Sequence, residues 1–296
     1  SEYMTIDTFI QRHPDISEKE LNECYIKYRG KEQTYKENSE EYCAFSEKMK
    51  LIHYTPPIMV VQPFIKPSIY FMQKAIECLG FARFFTMKSA LLLDTDYNIR
   101  WSQGYIPQYL FRCIYFGTAS TWYSNAFDHV LQAVYWGKKL YTSVVDRDGN
   151  PYDEGWDTKK TLSLCTYEFV VGELKNRNET KLLTSCSAKI EEVRKWANYI
   201  KHKGGIDYSY LEAENPFKFY VIPTDSISST SMKNGAQYQP PDEKYEIKDF
   251  KSPIKIDIDD KMQELVKAYD AIFECIEKMI VEMDYDQYAI KIGGNS

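Results

Sequence analysis

The feature that most constrains the fold is a long apolar segment, Tyr105 to Leu140, in the middle of the chain. Its apolar residues keep helical spacing but cover most sides of the helix. A surface helix has one apolar face, so a helix that is apolar all round belongs at the centre of a bundle. The longest uncharged run, Cys113–Phe127, is shorter than the ~18 apolar residues of a membrane span and contains Thr, Ser and Asn. The segment therefore predicts a helical bundle without a membrane partner.

Helical periodicity also predicts helices at 17–28, 39–52, 161–174, 180–202 and 259–284, and from Ser68 onward with a break near Gly80. The expected fold class is mainly α: a helical bundle with an N-terminal helical extension and a small β-rich insertion before the last helix. Composition and turn signals divide the chain into five parts. These are an N-terminal helical extension at 1–53, a Pro-rich linker at 54–67, the bundle at 68–205, a loop with a small β-element at 206–258, and a C-terminal helix at 259–296 that completes the bundle.

Charge and cysteine content narrow the classes of function. The net charge of −6 argues against indiscriminate binding of nucleic acid, although residues 189–203 carry five basic and two acidic side chains. The seven cysteines form no CxxC pair and no zinc spacing, so we expect free thiols in a reducing compartment, with no metal and no cofactor. The acidic run 257–260 suits either a cation or a helix N-terminus. No cationic segment is followed by an apolar one at the N-terminus, which predicts no signal peptide and a cytoplasmic location.

The first candidate site is a row at the end of the predicted helix 180–202. Arg194, Asn198 and His202 recur every four residues and therefore share one side of a helix. In a catalytic interpretation, His202 would transfer a proton and Asn198 would orient it, while Arg194 would hold a phosphate together with Lys201 and Lys203. The alternative is a solvated polar face whose basic residues favour the negative end of the helix dipole.

The second candidate site is a polar stripe inside the apolar central helix. Its members are Thr121, Asn125, Asp128 and Gln132, with His129 adjacent. Burying such groups costs free energy unless they are paired. The stripe therefore predicts a partner helix that supplies hydrogen bonds, a pocket for a small molecule or nucleotide, or a subunit interface. In a catalytic arrangement, Asp128 or His129 would pair with the first row.

Two of these features resemble the HEPN superfamily, whose helical domains occur in prokaryotic toxins, antiphage systems and some CRISPR-associated ribonucleases. The late helix ends in Asn198-x-x-Lys201-His202-Lys203-Gly204, and residues 111–141 look like the central helix of uncharacterised bacterial members. The likeness covers about residues 68–203 and extends to the last helix. It implies an all-helical bundle.

The resemblance also implies a site. The ribonuclease motif of the family is Arg, often followed by Asn, and then His a few residues later. Asn198 and His202 match the last two positions, whereas Ala197 stands at the position of the Arg, and Arg194 lies one turn earlier. Two such motifs usually meet across a dimer, so a homodimer is implied. Many members have lost catalysis and serve as binding or scaffold modules.

Three functions follow as hypotheses. The first is a HEPN-like binding or interaction module, dimeric, in a cytoplasmic stress or defence setting of a bacterium. The second is a metal-independent endoribonuclease that uses His202 with Asn198 and Arg194. The third is a small-molecule or nucleotide binder that uses the polar stripe. RNA, a nucleotide and a second copy of the chain are the expected partners.

Overall fold

In the computed structural model of the chain, the described residues are 11, 19, 25–28, 31–51, 60–92, 105–145, 148–150, 165–211 and 254–290. Within these residues the protein is mainly α-helical, as its periodicity predicts, with seven α-helices and two small sheets. The helices are α1 (Tyr35–Lys48), α2 (Lys66–Ala90), α3 (Tyr105–Gly137), α4 (Tyr167–Lys175), α5 (Lys181–Lys189), α6 (Glu191–His202) and α7 (Ile258–Met283). The strands are β1 (Tyr25–Tyr28), β2 (Lys31–Thr34), β3 (Asp207–Tyr208) and β4 (Lys255–Ile256).

The apolar segment α3 lies at the centre of the bundle, which confirms the prediction for this segment. It packs against α2, α4, α6 and α7. Ala119, Phe127, Ala133 and Tyr135 are each 0% exposed, and at about 100° per residue they spread over about 200° of the helix circumference. Since α3 has neighbours on several sides, apolar residues are needed all round it.

Side-chain caps explain where several helices begin. Thr34 and Glu37 form a capping box at the start of α1. Asp257 caps α7, since its Oδ1 accepts a hydrogen bond from the amide of Asp259 at 3.1 Å. The acidic run therefore lies at a helix N-terminus, where carboxylates are stabilised by the unpaired amides and the helix dipole.

The predicted helix 180–202 is wrong as a single element, because it consists of α5 and α6. The two meet at Ile190, whose backbone (φ −107°, ψ 11°) departs from helical geometry. This change of direction lets α5 pack against α7 while α6 packs against α3. The apolar spacing continues through the junction because Ile190 itself is buried, so the sequence pattern does not reveal the bend.

Three other boundaries differ from the sequence prediction. Helix α2 includes Pro67 from the predicted linker, because proline suits the first turn of a helix. It also continues without a break past Gly80, because packing against α3 outweighs the ~1 kcal/mol cost of a glycine inside a helix. Tyr25–Tyr28 is a strand rather than part of a helix, and it pairs with β2 across a two-residue connection typical of tight hairpins. Helix α4 begins only at Tyr167, with Thr166 as its cap. Residues 161–164, 52–59 and 94–104 lie outside the described residues.

A small parallel sheet precedes the last helix, as the sequence predicts. β3 pairs with β4, so that Asp207 lies opposite Lys255 and Tyr208 opposite Ile256. The sheet joins the chain just after α6 to the chain just before α7. The other predicted β-runs, at 217–222 and 245–248, lie outside the described residues. No helix in the described ranges combines the length and the hydropathy needed to cross a bilayer.

Candidate functional site

The contact between α3 and α6 brings the two sequence-predicted sets of polar residues together. Arg194 Nη2 lies 3.5 Å from Asp128 Oδ1. One helical turn earlier along α3, Asn125 Oδ1 accepts a hydrogen bond of 2.7 Å from Lys201 Nζ. Arg194 of the row and the neighbouring Lys201 therefore meet Asp128 and Asn125 of the stripe, and we call this contact the α3–α6 seam. The pairing of Asp128 with the row agrees with the catalytic arrangement considered from sequence, although Arg194 rather than His202 is its partner.

Arg194 is held by two aromatic rings as well as by Asp128. Its guanidinium lies 5.1 Å from the ring centre of Phe127 and 5.8 Å from that of Tyr167, within the range of cation–π interactions. The side chain is 25% exposed, and its buried Nε has no hydrogen-bond partner among the described residues. Burial raises the pKa of the Asp128 carboxyl above its ordinary value, and nearby positive charges, chiefly Arg194, offset only part of this shift.

A small polar pocket of about 360 Å³ opens beside Arg194. Its polar lining comes from α3, α6 and the start of α4, and consists of Asp128, Gln132, Cys165, Thr166, Glu168 and Arg194. Burial and the negative charge of Asp128 raise the pKa of the Cys165 thiol to about 12, so this thiol stays protonated at neutral pH. The pocket offers a guanidinium donor between two carboxylates, which suits a small polar ligand.

The C-terminal end of α6, unlike Arg194, is exposed and carries several basic side chains. Asn198, His202 and Lys203 are exposed, and the ammonium of Lys203 lies 5.1 Å from the ring centre of Tyr199. Gly204 and Gly205 follow with φ values of +87° and +118°, a conformation that favours glycine, and a side-chain atom added at either would meet open space. The turn after α6 therefore leaves Asn198, His202 and Lys203 exposed to solvent.

Arg194 and His202 do not converge within one chain. They are eight residues apart on α6, which corresponds to about 12 Å along a helix that rises 1.5 Å per residue. Ala197, where the expected resemblance would require an arginine, is 0% exposed and faces the core. A guanidinium next to His202 would have to come from elsewhere.

The remaining members of the stripe do not join the seam. Thr121 Oγ1 donates to the carbonyl of Gly117 on its own helix at 3.2 Å. His129 Nδ1 lies 2.7 Å from Gln132 Oε1, and the imidazole stacks on Phe71 of α2 at 5.9 Å. The stripe therefore divides between two neighbours: Asn125 and Asp128 meet α6, and His129 meets α2.

Sequence reasoning missed a buried ion pair that joins three helices. Arg112 of α3 is 3% exposed, and its Nη2 lies 2.5 Å from Asp259 Oδ1 at the start of α7. Its Nε donates to the carbonyl of Ser89 on α2 at 2.8 Å. The sequence signal for this pair was a single arginine within an apolar helix, which needs a carboxylate partner when it is buried. Asp259, in the acidic run, supplies that carboxylate. With its charge paired with Asp259 and its Nε donating to the backbone, Arg112 has a structural role.

Comparisons with protein-family models, with curated proteins and with solved structures find no match. Among the described residues, no cluster of three or more His, Cys, Asp or Glu side chains is arranged to hold a metal ion. The α3–α6 seam and the exposed end of α6 are therefore the features from which a function can be inferred.

Proposed function

We propose that the chain is a HEPN-like binding module that holds single-stranded RNA at the exposed end of α6 and does not cleave it. The observation that carries this proposal is the cluster of Lys201, His202 and Lys203 beside Tyr199, at a helix end followed by two open glycines. Ammonium groups neutralise phosphates, and an aromatic ring offers a face for a base. The HEPN likeness adds a bacterial stress or defence setting.

The geometry favours binding over catalysis for two reasons. Arg194 is already occupied by Asp128, Phe127 and Tyr167, so its charge is partly neutralised and its position is fixed. Ala197 is buried, so no cation stands beside His202 at the position where the HEPN motif places its arginine. His202 could still transfer a proton, but the scissile phosphate would lack the arginine that the HEPN motif provides to bind it.

The test is fluorescence anisotropy with a labelled single-stranded RNA, over a range of salt concentrations. Lys201→Ala/Lys203→Ala should weaken binding and reduce the slope of log Kd against log salt by about 0.7 for each phosphate that the variant no longer neutralises. The matched control is Lys267→Ala/Lys278→Ala, which removes the same charge from exposed positions on α7. An equal loss of affinity in both variants, or no binding by the wild type, would contradict the proposal.

The same RNA also tests the endoribonuclease alternative. The RNA is incubated with the wild type and with His202→Ala in the presence of EDTA, and the products are resolved on a gel. Intact RNA with both proteins is the expected result. Cleavage by the wild type alone would replace the binding proposal by a metal-independent endoribonuclease that uses His202, with Asn198 as its orienting partner.

A second candidate function uses the pocket beside Arg194. The buried Nε of Arg194 is a donor without an acceptor among the described residues, and the pocket volume of about 360 Å³ fits a small ligand such as a mononucleotide. Thermal shift with AMP, GMP, CMP and UMP tests this candidate, with Gln132→Ala as the pocket variant. A shift that persists at high salt and disappears in this variant would favour the pocket. No shift with any of the four nucleotides would exclude mononucleotides as its ligands.

Homodimer formation, which the HEPN likeness implies, has a candidate surface on α2 and α3. Phe81, Phe84 and Ile114 are 42%, 52% and 50% exposed, and Phe81 packs against Trp122 at 4.9 Å. Exposed apolar side chains grouped in this way are typical of an interface. Light scattering should give the mass of a dimer for the wild type and of a monomer for Phe84→Glu. Val281→Glu, at the 79% exposed Val281 on α7, is the control and should remain a dimer.

A further inference from the structure

A groove of about 550 Å³ lies between α5 and α7 and is lined by residues of both helices. Its rim carries the ion-paired side chains of Lys189, Glu274 and Lys278. Its inner wall includes two cysteines, Cys186 from α5 and Cys275 from α7, which are 3% and 1% exposed. Two thiols from different helices therefore line one groove that opens to solvent.

The two thiols are neighbours. Cys186 Sγ donates to the carbonyl of Ala271 at 3.5 Å, one helical turn before Cys275, and both cysteines line the same groove. The neighbouring Cys275 side chain together with burial raises the pKa of Cys186. Two thiols placed on facing helices in this way are positioned for the short approach that a covalent bond between them needs.

The other described cysteines have different surroundings. Carboxylates lie near Cys43 and Cys165, Glu77 and Lys74 lie near Cys78, and Tyr109 and Arg112 lie near Cys113. All six described cysteines are free thiols. Cys186 and Cys275 are therefore distinguished within the described residues by having each other as neighbours.

We propose that Cys186 and Cys275 form a redox modification site that a small-molecule disulfide, such as glutathione disulfide, oxidises to an intramolecular disulfide. One protein thiolate attacks the glutathione disulfide, forming a mixed disulfide and releasing one glutathione thiolate. The second protein thiolate then attacks the mixed disulfide and releases the second glutathione. Two protein thiols are oxidised, one glutathione disulfide is reduced to two thiols, and the protons of the protein thiols pass to the departing thiolates.

The bond would join α5 to α7 across the groove and close a loop of about 90 residues, which restricts the unfolded chain strongly. Because the attacking species is the thiolate, burial slows the reaction at neutral pH and a higher pH accelerates it. The reduced protein is therefore the resting form, and oxidation depends on exposure to the disulfide.

The test treats the full chain with glutathione disulfide at about pH 8, blocks the remaining thiols, and maps disulfides by mass spectrometry without reduction. We expect a linked pair of peptides that contain Cys186 and Cys275, and a rise in Tm of about 5–10 °C that dithiothreitol reverses. The rate of oxidation should increase with pH. Cys165→Ser should form the same link, whereas Cys275→Ser should show no such rise in Tm.

Two results would overturn the proposal. One is a wild type in which Cys186 and Cys275 remain thiols after the less buried Cys165 has been oxidised. The other is a disulfide in which either residue pairs with a different cysteine. Because the peptide map is made on the wild type, it decides the matter even if a serine variant fails to fold.

Discussion

Two of the helix contacts that contain polar groups, the α3–α6 seam and the contact between α5 and α7, differ in where they place charge. In the α3–α6 seam, Arg194 is 25% exposed and lies over two aromatic rings. Between α5 and α7, the charges of Lys189 and Glu274 are about half exposed, and the buried polar groups beneath them are thiols. Exposed ion pairs contribute little to stability, whereas a charged side chain packed inside a seam also contributes contact area. The same residue types should therefore respond very differently to substitution.

The largest expected effect comes from placing an arginine at Ala197, a buried position of α6 between Arg194 and Lys201. Ala197 is 0% exposed, so the new side chain must overfill the core and bury a charge. Ala197→Arg should lower the free energy of unfolding by about 3 kcal/mol or more, measured by urea denaturation. The comparison variant, Asn198→Arg, places the same side chain at the exposed neighbouring position and should change stability by less than about 0.5 kcal/mol.

Equal stability of these two arginine variants would mean that α6 can turn to expose position 197. In that case, the arginine of the family motif would be compatible with this fold. The comparison of the two helix contacts would then no longer hold, because the interior of the α3–α6 seam would tolerate a charge as readily as the surface does.

The next effect compares one cation from each helix contact. Arg194→Ala removes the packing on Phe127 and Tyr167 together with a weak ion pair, and should cost about 1–2 kcal/mol. Lys189→Ala removes the exposed pair with Glu274, and should cost less than about 0.5 kcal/mol. Thermal and urea denaturation of both variants give the two values. Similar costs for both would show that burial does not set the difference between the two contacts.

These expectations also show what the sequence could predict. Helical spacing placed α3 at the centre, and the two polar patterns contained three residues of the α3–α6 seam, Asn125, Asp128 and Arg194. The bend at Ile190 was not predictable, because a single residue leaves helical geometry while the apolar spacing continues. In one continuous helix, Arg194 and Cys186 would share a partner helix, whereas in the structure they face α3 and α7 respectively.

Long-range partners could not be read from the sequence either. Tyr167 reaches Arg194 from α4, and Cys275 reaches Cys186 from α7, across separations for which no local pattern exists. The hairpin formed by β1 and β2 was also not predicted, for a different reason. Its two short strands show no clear alternation of apolar and polar residues, and a capped amphipathic helix was predicted through Tyr28 instead.

A third, smaller effect tests how closely the chain after α6 approaches α3. A side-chain carbon at Gly117 would lie 2.7 Å from the Tyr208 hydroxyl and 3.2 Å from Ile200 Cδ1. Gly117→Ala should therefore destabilise the fold by about 1 kcal/mol, despite the better helix propensity of alanine. Gly172→Ala on α4, where a side-chain carbon meets open space, should stabilise by about 0.5–1 kcal/mol. If the denaturation midpoints of both glycine variants moved in the same direction, the Tyr208 side chain would have to shift away from position 117 without loss of stability.

The smallest effect is a difference in the sign of pH dependence between the two helix contacts. Burial raises the pKa of Asp128, so folding favours its protonated form. The stability that this group contributes is fully present below the unfolded pKa of about 3.9 and is lost as the pH rises through the folded value. Because the Asp128 side chain is 44% exposed, the total change should be well below 1 kcal/mol, in keeping with the weakness of exposed charge interactions. Asp128→Asn should therefore gain stability relative to the wild type between about pH 3 and pH 6.

Glu274 should behave in the opposite way. Hydrogen bonds from Lys278 and Lys189 lower its pKa, so its contribution is present above the unfolded pKa and is lost as the pH falls through the folded value. Glu274→Gln should therefore lose stability relative to the wild type as the pH rises over the same range. The free energy of unfolding of each variant relative to the wild type is measured by urea denaturation at each pH. We expect its slope against pH to have opposite signs in Asp128→Asn and Glu274→Gln. Parallel slopes would mean that Arg194 outweighs the burial of Asp128, so that both helix contacts owe their pH dependence to ion pairing alone.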